Sequence, residues 1–437
     1  MRGARKHNGA CRTGAALAAW RGAILALAGG IAWGCASPTA GVGLATSSAS
    51  LAPGSPDEAN TAATSIDAFG FDLYGKVTPA EGNLVFSPAS IAIALAMADA
   101  GARGETATQM DKVLHIGSGA AGGAGVGSLD QALAALSGKF RDAYGNERDV
   151  QLRIANAPFA QSGLRIEQAY LDTLASRYGA GLHLVDYRSD AAGAYKTIND
   201  WASDQTEKRI PSLLDQPDPT TRLVLVNAIY LKAAWQSPFE AGATSTAGFT
   251  RLDGTKVPVQ MMSDSSERPY AAGTGWQAVE LPYLGGSLAM TIIVPDDFLA
   301  FEKGLDAGTF AAITGALRPA TVDLSLPRFK SETRMKELKD VLAAMGMPLA
   351  MDSGRADFSG ITSDERLFIS RVVHQANISV DEKGTEATAA TAVVMAIATA
   401  PPATATVRVD RPFLFALRDT KSGAILFLGR IVDPSAG

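Results

Sequence analysis

Cysteine is nearly absent. The 437 residues hold two, Cys11 and Cys35, both near the N-terminus. No CxxC pair and no HExxH helix occurs, and there are only four histidines, so a zinc centre is not expected. Basic runs are missing beyond the first 21 residues, and the net charge is -5. Nucleic acid and polyanionic activators both need a basic face, so neither is expected as a partner. Hydrolytic motifs are missing too. No serine sits in a GxSxG elbow and no SxxK pair occurs. His7 lies in the N-terminal segment, and His115 and His183 read as helix-end or loop residues. His374 sits in an apolar strand run, where a lone imidazole is usually a hydrogen-bonded core residue. Asp296 and Asp297 read as solvated turn residues. The chain is therefore expected to be no enzyme and to need no cofactor or metal.

What is present begins with a targeting signal. Arg2, Arg5, Lys6, Arg12 and Arg21 accompany the apolar run GAILALAGGIAWGC. That run is too short to cross a bilayer comfortably and reads as the core of a signal peptide over residues 1–34. Gly34 before Cys35 is similar to a bacterial lipoprotein processing site, which would put a lipid on Cys35. Trp33 departs from the small residues usual there, and ordinary secretion is the other reading. Either removes Cys11 and exports the protein, to the cell envelope or beyond. Contact with a membrane would then run only through an N-terminal lipid. Residues 35–57, rich in Ala, Ser, Gly, Thr and Pro, read as a flexible linker. Residues 58–437 read as one large domain.

Within that domain, helical spacing comes first. Ile66, Phe69, Leu73 and Val77 fall on one face of a helix. SPASIAIALAMADAGARG offers Ser87 as an N-cap and Pro88 in the first turn. SGLRIEQAYLDTLASRYG and AGAYKTINDWASDQT follow as helices. The Gly-rich piece from Gly117 to Ser128 reads as a loop; its GxGxxG follows a helix rather than a strand, which excludes a dinucleotide fingerprint. From about residue 221 the texture changes to strands, led by TRLVLVNAIYLKAAW, apolar on both faces like a buried central strand. Helices first and strands later, without βαβ alternation, predict an α+β fold.

Four segments, in order, resemble the serpin family. They are NLVFSPASIAIALAMADAGARGET, LVNAIYLKAAWQSPF, VVHQANISVDEKGTEATAATA and DRPFLFALRDTKSGAILFLGRIVDP. The resemblance covers about residues 58–437. It implies about nine helices, three β-sheets and an exposed reactive loop. It further implies a monomeric serine protease inhibitor acting as a suicide substrate: the loop is cut, an acyl-enzyme forms, and the loop inserts into the main sheet. The alternative within the family is a non-inhibitory member that binds or stores.

The resemblance also assigns residues. Glu382, Lys383, Gly384, Thr385, Glu386 and Ala387 match the hinge of the loop. Sixteen positions beyond Glu382 the family's pattern places the reactive bond, between Ala398 and Thr399. Ser87, Ser90, Asn227 and His374 match a polar cluster under the middle of the main sheet, the shutter. Trp235 and Arg328 match the top of the sheet, the breach, with Arg328 as partner of Glu382. A small side chain at Ala398 suits a shallow specificity pocket, so an elastase-like serine protease is the expected partner, held covalently. The residues agree with insertion on their own terms. An inserted strand has period two. Thr385, Ala387, Ala389, Thr391, Val393 and Met395 form one face without a charge. Glu386 falls on the other face, with Thr388, Ala390, Ala392 and Val394, which is expected to meet solvent.

Overall fold

The computed structural model describes residues 43–117, 120–142, 145–336, 338–385 and 403–436. Nine α-helices fall among them: α1 (Pro56–Val77), α2 (Pro88–Asp99), α3 (Gly104–Val113), α4 (Ala120–Ala134), α5 (Gln168–Tyr178), α6 (Ala191–Gln205), α7 (Phe298–Lys303), α8 (Ala307–Ala316) and α9 (Leu338–Met345). The strands are β1 (Gly43–Ala45), β2 (Leu84–Phe86), β3 (Gly138–Arg141), β4 (Glu147–Gln161), β5 (Leu182–Val185), β6 (Leu223–Ala234), β7 (Ser245–Thr250), β8 (Lys256–Gly273) and β9 (Trp276–Pro282). They continue as β10 (Leu288–Pro295), β11 (Arg318–Pro327), β12 (Phe329–Met335), β13 (Ile369–Asp381), β14 (Gly384–Thr385), β15 (Ala405–Arg408), β16 (Phe413–Asp419) and β17 (Ile425–Ile431).

Local chemistry explains the first helices. Ser55 caps α1 by accepting from the Glu58 N–H, and Pro56 opens the first turn. Ile66, Phe69 and Leu73 are fully buried, and Val77 is half-buried. Ser87 caps α2 in the same way through the Ser90 N–H. Every residue of α2 is buried, so it is a core helix, apolar all round.

The Gly-rich segment is a correction. Residues 120–134 form helix α4, where a loop is expected. Its glycines are there for close packing. A Cβ on Gly123 would sit 2.4 Å from the Arg177 guanidinium, and one on Gly127 would sit 3.0 Å from Arg177 Cβ and its carbonyl oxygen. Gly125 faces α1, 3.3 Å from the Glu58 carbonyl oxygen by the same measure. Tertiary contact on both sides offsets the poor helix propensity of glycine.

The main sheet runs β1-β5-β4-β6-β14-β13-β12, with β3 paired to β4. Its central strand β6 is antiparallel to β4 and parallel to β13, and is buried on both faces as expected. The order of helices first and strands later is looser than the sequence texture implies. The long β4 lies in the first half of the chain, its Val150, Leu152 and Ile154 alternating with polar residues. His183 is likewise in a strand, β5, stacked on Phe159 at 4.5 Å between ring centroids.

A second network of nine strands runs β15-β11-β8-β9-β10-β16-β17-β2, with β7 on β8. The long β8 carries it, pairing with β7 and β11 along most of its length and with β9 at its C-terminal end. One core joins the two networks and α2, for example through Leu225, Ile229, Ile93, Phe415 and Phe427. A second, smaller core lies between the main sheet and α6. There Tyr195, Ile198 and Ala202 pack with Val224, Val226, Ala228 and Val373.

Residues 43–55 are a further correction, since they are not a free tether. Gly43–Ala45 pairs antiparallel with β5 as the outermost strand of the main sheet. The Ser47 hydroxyl donates to Asp172, and the Ala52 N–H donates to the Ser176 carbonyl at 2.8 Å. The Gly54 and Ser55 N–H groups donate to Gln131 Oε1 at 3.0 Å and Ser128 Oγ at 3.1 Å. Gly181 makes room for the segment, because a Cβ there would lie 2.7 Å from the Ala45 carbonyl oxygen.

Leucine at position 127 would overpack the α4–α5 contact. Gly127→Leu is expected to destabilise the fold by about 1–3 kcal/mol, read as a lower midpoint in thermal unfolding; an unchanged midpoint would refute the close-packing role of α4.

Candidate functional site

The main sheet is split at its top. β6 and β13 pair directly from Leu223 opposite Ile369 to Ile229 opposite Ala376. Above that they part, and β14 lies between them. Its Gly384 and Thr385 face Ala234 and Ala233 of β6 and Asp381 and Val380 of β13. The chain thus leaves β13, turns over Glu382 and Lys383, and re-enters the sheet antiparallel to both neighbours.

Each hinge residue has a reason for its place. Gly384 has φ +149°, and a Cβ there would lie 2.0 Å from the Ala233 carbonyl oxygen. Only glycine fits so close an approach of backbones. Thr385 is 1% exposed, and its hydroxyl meets the Tyr283 hydroxyl at 2.5 Å. Tyr283 is stacked on Trp235 with centroids 4.3 Å apart. Trp235 in turn holds the turn: its indole N–H donates to the Asp381 carbonyl at 2.9 Å and its backbone N–H to the Lys383 carbonyl at 2.8 Å. The Phe239 N–H donates to the Glu382 carbonyl at 2.9 Å.

Arg328 grips Glu382 with two donors on one carboxylate oxygen, at 2.8 Å and 2.6 Å. Thr244 donates to the same oxygen. Burial pushes the Glu382 carboxyl up, but the bonds from Arg328 and Thr244 outweigh it and hold the group below the usual carboxylate range. The expected pairing of Arg328 with Glu382 is therefore present, and Trp235 stands beside it.

The second cluster lies lower, where β6 and β13 are still in contact. His374 and Asn227 are opposite each other in the parallel ladder and both are fully buried. The Ser87 backbone N–H donates to His374 Nε2 at 3.0 Å. Nε2 must therefore be the acceptor, and the proton sits on Nδ1, which donates to Asn227 Oδ1. Burial takes the His374 pKa from about 6.5 down to about 3, so the ring is neutral. Ser90 is joined through Ser87, whose hydroxyl accepts from the Ser90 N–H at 3.1 Å.

Asn156 is a member that the sequence reading missed. It sits opposite Asn227 in the β4–β6 ladder and accepts from the Ser90 hydroxyl at 3.0 Å. The signal was a polar residue on the inward phase of an otherwise alternating strand. The side-chain amides of Asn156 and Asn227 find no hydrogen-bond acceptor among the described residues. Such groups are costly when buried. The bond between His374 and Asn227 bridges the two strands that must separate if another strand enters.

At the foot of the same seam the Arg222 N–H donates to Ser370 Oγ at 3.0 Å, and Arg222 faces Glu365 at 3.6 Å. The seam is thus tied at the hinge, the middle and the base. Among the described residues no group of three His, Cys, Asp or Glu could hold a metal, and no helix is long and apolar enough to cross a membrane. Glu386, Ala387, Ala398 and Thr399, and also Cys35, lie outside the described residues.

Residues 64–434 match the family model described as Serpin (serine protease inhibitor). An uncharacterized serpin-like protein of Thermococcus kodakarensis is 39% identical over 378 residues, 85% of each chain. The leukocyte elastase inhibitor of Bos taurus is 38% identical over 382 residues, 84% of this chain and 97% of that one. The crystal structure of uncleaved ovalbumin superposes with a TM-score of 0.74 at 28% identity, over 85% of this chain and 99% of that one.

Two outcomes follow from the geometry. Gly384→Ala is expected to expel β14, so that hydrogen exchange at the amide of Ala233, whose carbonyl faces Gly384, accelerates; unchanged exchange would refute the close approach. The His374 shift carries a sign. A histidine whose folded pKa is depressed stabilises fully above its unfolded value, and the contribution is lost as pH falls from about 6.5 towards about 3. Unfolding free energy measured between pH 7 and 4 is expected to drop, and His374→Gln is expected to flatten that part of the slope. An equal slope in the variant would remove His374 as its cause.

Proposed function

The chain belongs to the serpin family, and on that premise we infer that it is an inhibitory member whose target is an elastase-like serine protease. The observation that carries this reading is β14: Gly384 and Thr385 of the hinge are already seated in the seam of the main sheet, in a defined register. Extending that register down the seam gives each incoming residue its neighbours. Ala387 would arrive between Leu231 and Ile378, and Ala389 between Ile229 and Ala376. Thr391 would arrive between Asn227 and His374. Its hydroxyl can both donate and accept, so it can replace the direct His374–Asn227 bond as the strands separate. It would enter where the Asn227 amide lacks an acceptor.

The opposite face is also compatible. Glu386 would lie beside Lys232 near the top, where the sheet surface is partly open. Further down, Ala390 and Ala392 would lie beside Ala228 and Val226, which belong to the small core beneath α6. That face therefore meets solvent only near the top, and small residues suit the covered part.

In the proposed reaction the serine of the protease attacks the carbonyl of Ala398. An ester forms, the bond to Thr399 breaks and its amine leaves. The freed loop enters the seam and carries the acylated protease with it. About 14 residues at roughly 3.3 Å each span about 45 Å. A protease dragged that far is distorted before water can release it. The small Ala398, and relatives named as leukocyte elastase inhibitors, support the target class. Export is part of the same proposal and rests on residues 1–34, with Cys35 as the candidate lipid attachment.

Mixing with pancreatic or neutrophil elastase is expected to yield a covalent complex that survives SDS. Thr391→Arg is expected to turn the inhibitor into a substrate, cut at the same bond without complex, because a buried unpaired cation blocks entry of the strand. Clean cleavage of the unaltered protein, with the protease left fully active, would overturn the inhibitory reading and leave a non-inhibitory member.

A further inference from the structure

Strand direction decides which end of the main sheet the N-terminal chain comes from. Gly43, Leu184, Ala160 and Leu223 form one row across β1, β5, β4 and β6. Thr385 is level with Ala233, further along β6 by about 33 Å at roughly 3.3 Å a residue. Gly43 is therefore at the base of the sheet, and the hinge is at its top. β1 is antiparallel to β5, β5 is parallel to β4, and β4 is antiparallel to β6. β1 thus runs in the direction of β6, from base to top. The chain before Gly43 arrives from the base, the pole opposite the hinge.

The same register places the far end of the inserted loop. Continued from Thr385 opposite Ala233, it sets Met395 opposite Leu223, in the row of Gly43. Ala398 then falls about 10 Å past that row, on the base side. Sideways, it is four strand spacings from β1, about 19 Å at roughly 4.8 Å each. The residue that would hold an acylated protease ends beside the point where the N-terminal chain arrives.

Cys35 is eight residues before Gly43, so the two can be no more than about 29 Å apart at roughly 3.6 Å a residue. A lipid on Cys35 keeps the base within that distance of the membrane surface. With the strands upright, Ala398 is then at most about 20 Å from the lipid. A serine protease of roughly 240 residues is about 45 Å across. The protease therefore ends against the lipid surface, and the body tips to admit it.

We propose that the base of the main sheet is the membrane-facing pole of the anchored protein, so that the bait is offered on the outward side and inhibition carries the trapped protease inward to the lipid surface. This rests on two readings made above, the lipid on Cys35 and the entry of the cleaved loop into the seam. A captured protease is thereby withdrawn from its surroundings into a narrow space at the membrane.

The test couples the full-length protein, with Cys11→Ser, through Cys35 to phosphatidylcholine vesicles that carry a maleimide lipid and an acceptor-labelled lipid. A second variant, with Cys11→Ser, Cys35→Ser and Gly242→Cys, reverses the anchor. Gly242 is exposed at the top, between Phe239 and Thr244, which both bond Glu382, and nothing lies within 4 Å of a Cβ placed there. Energy transfer to the vesicle is read from donor-labelled pancreatic elastase in two states. Elastase with its catalytic serine replaced by alanine binds the uncut loop, and active elastase forms the covalent complex. Through Cys35, transfer is expected to rise from the first state to the second. Through position 242 it is expected to fall. No rise through Cys35, with an SDS-stable complex formed on the vesicles, would overturn the proposal, and so would the same direction of change from both anchors. A complex that forms in solution and from position 242, but is blocked from Cys35, supports a base turned to the lipid. If no covalent complex forms at all, the inhibitory reading fails instead. The inactive elastase then still reports the pole: transfer through Cys35 as high as through position 242 would refute the orientation. Mass spectrometry of the exported protein decides the lipid separately. An unmodified Cys35 would overturn delivery to a membrane and leave the order of the vesicle results unchanged.

Discussion

The fold turns on two strands that cannot stay paired along their whole length. β6 and β13 are bonded to each other below and separated above, and the separated edges carry backbone groups that need partners. The structure supplies two residues, Gly384 and Thr385, and no more of that strand is among the described residues. The contacts around the seam share one property. Trp235 with the Asp381 carbonyl, His374 with Asn227, and Arg222 with Glu365 are polar and cross from one side to the other. Apolar packing across a joint would resist reopening in proportion to area. Hydrogen bonds can be exchanged one for one with an incoming strand, so the native state is held without being sealed.

Much of this was readable in the sequence, for identifiable reasons. The inward side of Thr385 follows from the period of an extended chain and needs no tertiary knowledge. The caps at Ser55 and Ser87 are local and were legible as local signals. Pairings distant in sequence were not. Arg328 and Glu382 are 54 residues apart, and only a family resemblance joined them. Asn156 escaped because a single polar residue in a strand has no meaning until its cross-strand neighbour is known. Helix α4 escaped because glycine propensity argues for a loop, while the close approach of Arg177 and Glu58 on either side argues for a helix and is visible only in three dimensions.

The N-terminal segment shows the same limit more sharply. Its Ala, Ser and Gly content lacks apolar mass, which composition reads as disorder. Small residues are also what permits an extended chain to lie against a sheet edge and a helix. What distinguishes the two outcomes is the acceptor on the other side: the Ser176 carbonyl, the Gln131 side chain, the open edge of β5. None of these is encoded near residues 43–55.

Five tryptophans are present, and two of them, Trp20 and Trp33, precede Cys35. A chain processed there keeps three, and they are well spread for optical work. Trp235 is stacked on the tyrosine that touches Thr385 at the top of the seam. Trp201 rides on α6 over the sheet, edge-on to Phe159 at 5.6 Å. Trp276 lies away from the seam, on β9. The first two sit beside the proposed path of the incoming strand and the third off it. The intrinsic emission of this protein is therefore a built-in gauge of strand entry. No dye is needed, and single replacements of Trp201 or Trp235 by phenylalanine would separate the signal from the start of the path from the signal further along it.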